Sequence, residues 1–154
     1  MNSKKIPTKV SEVKLSYKSR TKAADRPQVT RSYTAYQVLR ENWDEDTIAL
    51  FEEFHVLLLD RANRIMGRYP CSQGSMIGTI VDPRMVFTVA LKMRAASLIV
   101  AHNHPSTRLV PSEADKELTK RLVKAGEILG IPILDHLILS PEGGYFSFLD
   151  EGLI

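Results

Sequence analysis

The run Ser97-Leu98-Ile99-Val100-Ala101 leads straight into His102-Asn103-His104-Pro105-Ser106, and no other stretch restricts the possible folds as tightly. A short, mostly apolar run of this kind makes a buried strand. If the strand continues through His104, side chains at i and i+2 leave the same face, so His102 and His104 point the same way. A helix start follows after the loop. Ser112 is a good N-cap, which places Asp115 at N3, in the first turn, where the helix end projects back toward the strand terminus. Two imidazoles and a carboxylate can share one divalent ion, and imidazole suits zinc. Three protein ligands leave a fourth tetrahedral position open, as in catalytic zinc sites.

Each half of the pattern has a plainer explanation. A His-x-His pair alone is more often two surface or hydrogen-bonded histidines, and Ser-x-x-Asp alone is more often a capping box. Their conjunction is what carries the metal reading, and the roles do not compete, because a first-turn Asp can cap and ligate.

Composition narrows the class. The chain has 154 residues, 44% of them hydrophobic and 25% charged, which suits one α/β domain with a short extension. No apolar run approaches the roughly eighteen residues of a membrane span, and the N-terminus lacks a signal-peptide apolar region, so a cytoplasmic setting is the default expectation. The single cysteine, Cys71, excludes an internal disulfide and any multi-cysteine zinc site; a small packing residue is its expected role. The net charge of +3 is unevenly spread. Residues 1–31 hold nine basic side chains against Glu12 and Asp25, whereas the remainder carries 12 basic and 16 acidic residues. The division expected is a basic extension, 1–31, and a site-bearing domain, 32–154. Such an arm can neutralise phosphates and bind nucleic acid, although a solvated tail is the commoner outcome.

Along the chain, Val13–Lys18 alternates as a half-buried strand would, and residues 20–31 read as a linker. Ser32 is placed to cap a helix from Tyr33 to Trp43, with Thr47–Phe51 as a second helical stretch. Glu52–Asp60 reads as a strand and Arg64–Tyr69 as its hairpin return, with Met76–Val81 as a further strand. Asp82-Pro83 starts a helix with Met85, Val86, Val89, Ala90 and Met93 on its packed stripe. A second amphipathic helix uses Leu118, Leu122, Ala125 and Leu129 and stops at Gly130. Ile131–Leu139 and Tyr145–Phe148 complete a mixed sheet packed by helices.

The pattern His102-x-His104-Pro105 with Ser112-x-x-Asp115 resembles the JAMM metalloprotease motif of the JAB/MPN superfamily. The longer string His102–Ser106, with Pro111-Ser112 and Asp135-His136-Leu137-Ile138, resembles its bacterial RadC-like branch over roughly residues 30–154. The resemblance implies a curved mixed sheet flanked by helices, with cytidine-deaminase-like layering and one zinc ion per chain held by His102, His104 and Asp115. It further implies that Ser112 supports the reacting oxyanion and that an upstream Glu handles the proton of the attacking water. The Glu-x-Phe-x-(apolar run)-Leu-Asp pattern selects Glu52, with Glu53 as the rival on the opposite face. Asn103, Pro105, Ser106 and His136 are candidates for supporting positions around the ligands, and His55 is expected to be structural.

Thr107 stands where that branch usually carries glycine, and Met85 where it often carries Glu. The chain is also too short to hold the helix-hairpin-helix region found ahead of this domain in longer relatives, an expectation that counts against the DNA-repair role attached to the family name. The activity implied is hydrolysis of a peptide or isopeptide bond in a peptide or protein substrate. The alternative is a non-catalytic DNA- or protein-binding module on the same fold. A zinc nucleobase deaminase is excluded by the missing Pro-Cys-x-x-Cys, and a helical His-Glu-x-x-His protease by the absence of that string.

Overall fold

Alternate residues of the central strands feed two separate cores, one on each face of a single sheet. The computed structural model describes residues 8–14, 16–73 and 81–154. Its elements are α1 (Ser32–Asn42), β1 (Glu53–Leu59), β2 (Ile65–Gln73), α2 (Pro83–Met93), β3 (Ser97–Asn103), α3 (Glu113–Leu129), β4 (Ile133–Leu139) and β5 (Tyr145–Ser147). The strands lie in the order β2-β1-β3-β4-β5. All neighbours are antiparallel except β3 and β4, which run parallel with α3 as the crossover. This is the mixed, helix-flanked sheet that the sequence implies.

Every residue of β1 and β3 is buried, which explains the apolar runs Val56–Leu59 and Leu98–Ala101 within them. On one face Phe54, Val56, Leu58, Leu98 and Val100 pack with Val86, Phe87 and Ala90 of α2 and Leu122 of α3. On the other, Leu57, Leu59, Ile99, Ala101, Leu137 and Leu139 pack with Ala35 and Leu39 of α1 and with Trp43 and Ile48. The even-numbered residues of β3 therefore face α3, and the odd-numbered ones face α1.

Helix ends follow local chemistry where a cap exists. Asp82 accepts from the Arg84 N–H with Pro83 behind it, and Gly130 closes α3 at φ +67°. Other expectations fail. Ser32 is not a cap: α1 already includes it, and its hydroxyl instead reaches Asp150 Oδ2 at 2.5 Å and lies 2.9 Å from the Tyr145 hydroxyl. Thr47–Phe51 is a run of turns, because only Ile48 and Phe51 complete α-helical i→i−4 bonds, to Asp44 and Thr47. Met85 is 47% exposed; the buried face of α2 is rotated so that Phe87 takes its place.

At the N-terminal side, the described part of Val13–Lys18 forms no strand, and Leu15 lies outside the described residues. The Tyr17 hydroxyl nevertheless donates to the Met66 carbonyl. The supposed linker is pinned: the Ile65 N–H donates to Pro27 O, the Val29 N–H to Asn63 O, and Gln28 forms a bridge with Arg64. The strand expected at Met76–Val81 falls on residues 74–80, outside the described set, except for Val81, which is buried outside any strand. Among the described residues no helix is long and apolar enough to cross a membrane.

Candidate metal centre

β3 ends at Asn103, and the His104 N–H continues its pairing by donating to Leu139 O at 2.9 Å. His102 and His104 therefore leave the same face, toward α3, with their Nε2 atoms 2.9 Å apart. Across the ladder Phe54 pairs with His102, so Glu52, two residues before Phe54, points to that face as well. From α3, Asp115 brings Oδ1 to 3.3 Å from His102 Nε2 and Oδ2 to 3.6 Å from His104 Nε2. One ligand atom from each of Glu52, His102, His104 and Asp115 lies within 4.8 Å of the others. His102 is buried, while His104 and Glu52 are only partly covered, which leaves the cluster open on their side.

The hydrogen-bond pattern assigns the tautomers. Thr119 Oγ1 lies 2.6 Å from the Asp115 carbonyl, which can only accept, so the hydroxyl donates there. The same oxygen, 2.6 Å from His136 Nδ1, must then accept from that ring. His136 Nε2 is left bare and accepts, at 2.8 Å, from His102 Nδ1. His104 Nδ1 donates to the Arg108 carbonyl at 2.6 Å. With both rings neutral, the Nε2 atoms point lone pairs at one another across 2.9 Å, beside two carboxylates. Such an arrangement is repulsive unless a positive charge lies between the rings, and this is how second-layer bonds prepare imidazoles for a cation. The donor set thus fits a metal ion.

The electrostatics agree. Burial works against charge on His104, but the Asp115 carboxylate, the Arg108 carbonyl and Glu52 outweigh it and raise its pKa. Burial opposes ionisation of Asp115 too, yet positive charge shared with the facing His102 and His104 rings, together with the Ser112 hydroxyl, holds it far below the usual carboxylate range. His136 is fully buried, and that burial, with His102 beside it, keeps the ring neutral as its relay role requires.

Ser112 caps α3 through a reciprocal box: its hydroxyl oxygen accepts from the Asp115 N–H at 3.1 Å and its own N–H donates to Asp115 Oδ2 at 2.7 Å, to which the hydroxyl also points at 2.7 Å. Asp115 both caps and faces the imidazoles. Pro105 is half-buried and Ser106 exposed in the turn that follows His104. There Thr107 takes φ +65°, with its N–H on His104 O, and this bend turns the Arg108 carbonyl back onto His104. A left-handed residue explains why glycine suits the position.

The two glutamates separate by face. Glu53 points to the α1 side, where its carboxylate receives the Thr47 hydroxyl at 3.0 Å and lies 3.5 Å from His55 Nε2. His55 is away from the cluster: it stacks on Trp43 at 3.8 Å and accepts from Arg68 Nη1, and burial lowers its pKa to about 3. Asn103, between the two histidines, is wholly buried on the α1 side. It donates to the Ile48 and Phe51 carbonyls and accepts from the Glu53 N–H. Thr119 was not singled out from the sequence, although its place one helical turn after Asp115 puts the two on one face and was the available signal.

Comparison with known proteins points to one family. The family described as RadC-like JAB domain matches residues 29–153. A UPF0758 protein of Flavobacterium johnsoniae is 51% identical over 102 residues, 66% of this chain and 44% of its own length. A UPF0758 protein of Symbiobacterium thermophilum is 45% identical over 103 residues, 67% of this chain and 44% of its own. One from Finegoldia magna is 52% identical over 89 residues, covering 58% and 40%. The chain spans less than half the length of these relatives.

Proposed function

Because this chain belongs to the RadC-like JAB domain family, we propose that it is a zinc-dependent hydrolase of the JAMM type, cleaving a peptide or isopeptide bond. The observation that carries the proposal is the convergence of the His102 and His104 Nε2 atoms, 2.9 Å apart, with Asp115 and Glu52 around them. His102, His104 and Asp115 would hold the ion, and zinc suits two imidazoles and a carboxylate. When bound, it supplies Lewis acidity to the scissile carbonyl and to water.

The chain's own groups do the rest. Glu52 comes from a different element than the three ligands, on the accessible side of the cluster, where its carboxylate can accept a proton from the attacking water and return it to the leaving nitrogen. The Ser112 hydroxyl, now directed at Asp115, lies next to the cluster and can turn its proton to a developing oxyanion. The relay Thr119–His136–His102 keeps Nε2 of His102 available throughout.

Glu52→Gln tests the role with little change of shape. Measured against a panel of peptide and isopeptide substrates, its turnover should fall by about two to four orders of magnitude, the usual share of acid–base catalysis. The folded protein should still bind zinc. Unchanged turnover rejects the assignment. DNA binding that weakens steeply with salt and survives His104→Ala favours the binding-module alternative instead.

A further inference from the structure

We propose that Asn103 is the positioning residue that registers Glu52 to the cation site, an inference that rests on the metal reading above. Glu52 precedes β1, whose ladder begins at Glu53, so the register of β1 sets its face while no ladder bond of its own holds its backbone. Asn103 does. Its Nδ2 donates to the carbonyl of Phe51 at 2.7 Å and to that of Ile48 at 2.6 Å, and its Oδ1 accepts the N–H of Glu53 at 2.7 Å. The backbone on either side of Glu52 is thereby clamped by one side chain.

The chemistry asks for this residue type. Two carbonyls and one N–H need two donors and one acceptor on a planar group, which an amide offers and a carboxylate or hydroxyl does not. Location matters as well. Asn103 sits between His102 and His104, so one three-residue stretch sends two imidazoles to the α3 face and the clamp to the α1 face. Any shift of this strand end carries the ligands and Glu52 together. His102, His104 and Asp115 are held by other bonds, to His136, Arg108 and Ser112, and do not depend on the clamp.

The test is a double-mutant cycle on zinc affinity, read by titration of the full chain without any turnover assay. Removing the Glu52 charge in Glu52→Gln should weaken binding, and Asn103→Ser should weaken it by a similar factor, about tenfold as for other outer-layer partners of metal sites. The double variant should bind no more weakly than Glu52→Gln alone. Asn103→Asp keeps the shape and the bond from Glu53; its added negative charge alone would tighten binding, so weakening despite that charge is expected. Emission from Trp43, the only tryptophan, checks that each variant is folded. An equal further loss in the Glu52→Gln background, or no loss in Asn103→Ser, overturns the proposal alone. A wild-type chain that takes up no zinc overturns the cation site and the proposal with it.

Discussion

Thr119 never touches the candidate ion, yet it decides which nitrogen of His102 is bare. Replacing it by valine keeps the volume and removes the acceptor for His136 Nδ1, so the relay loses its direction. Zinc affinity of Thr119→Val, measured by competition with a chelator, should fall about 10- to 100-fold; unchanged affinity would show that the relay is idle. Thr107 is a different kind of residue, a β-branched side chain at φ +65°. Thr107→Gly should raise unfolding stability by up to about 1 kcal/mol in urea denaturation, because the strain relieved exceeds the entropy that glycine adds. The grouping of His102, His104 and Asp115 was legible in the sequence because i, i+2 spacing and an N-cap are local rules. Glu52 against Glu53 was not settled by those rules, since the choice depends on the register of β1 against β3. The relay depends on the parallel pairing of β3 with β4, 34 residues apart at His102 and His136, and no local rule reports that.

α3 is the element that delivers both Asp115 and Thr119, and its seat depends on Gly126. A Cβ there would lie 2.5 Å from the Ile131 carbonyl oxygen, and backbone does not yield cheaply. Gly126→Ala should therefore destabilise the fold by about 1–3 kcal/mol in urea denaturation, the usual range for overpacking. Zinc should also bind more weakly, because the helix must move off β4; a fully stable variant with normal affinity would show that the seat is slack. Both α2 and α3 could be read from the sequence because Asp82-Pro83, Ser112 and Gly130 are punctuation with a local mechanism. The cap of α1 and the turns at Thr47–Phe51 differ from expectation for the opposite reason. Their ends are set by partners far along the chain: Ser32 by Tyr145 and Asp150, and the turn carbonyls by Asn103.

At the scale of the molecule, buried neutral imidazoles link stability to pH. The pKa of His55 is about 3 in the fold, against about 6.5 for an unfolded chain. Between those values the unfolded state binds a proton that the native state refuses, so stability falls as pH drops from about 6.5 toward 3, by up to about 1.4 kcal/mol per pH unit from this group. Urea midpoints at pH 7 and pH 5 should differ, and His55→Gln should reduce the difference; an identical difference would place the effect elsewhere. The segment around Pro27–Val29 also belongs to the folded body through its bonds to the β1–β2 turn, and the family match begins at residue 29. The charge asymmetry was plain in the composition, but this docking was not, because it rests on backbone bonds that any sequence can make. The central claim is that His102, His104 and Asp115 jointly hold one divalent ion, with Glu52 beside it as the acting group. Elemental analysis of purified protein after zinc loading tests it most directly. The account predicts one zinc per chain in the wild type and in Glu52→Gln, and none in His104→Ala or Asp115→Ala; no stoichiometric zinc in the wild type, or full retention in His104→Ala, would contradict it.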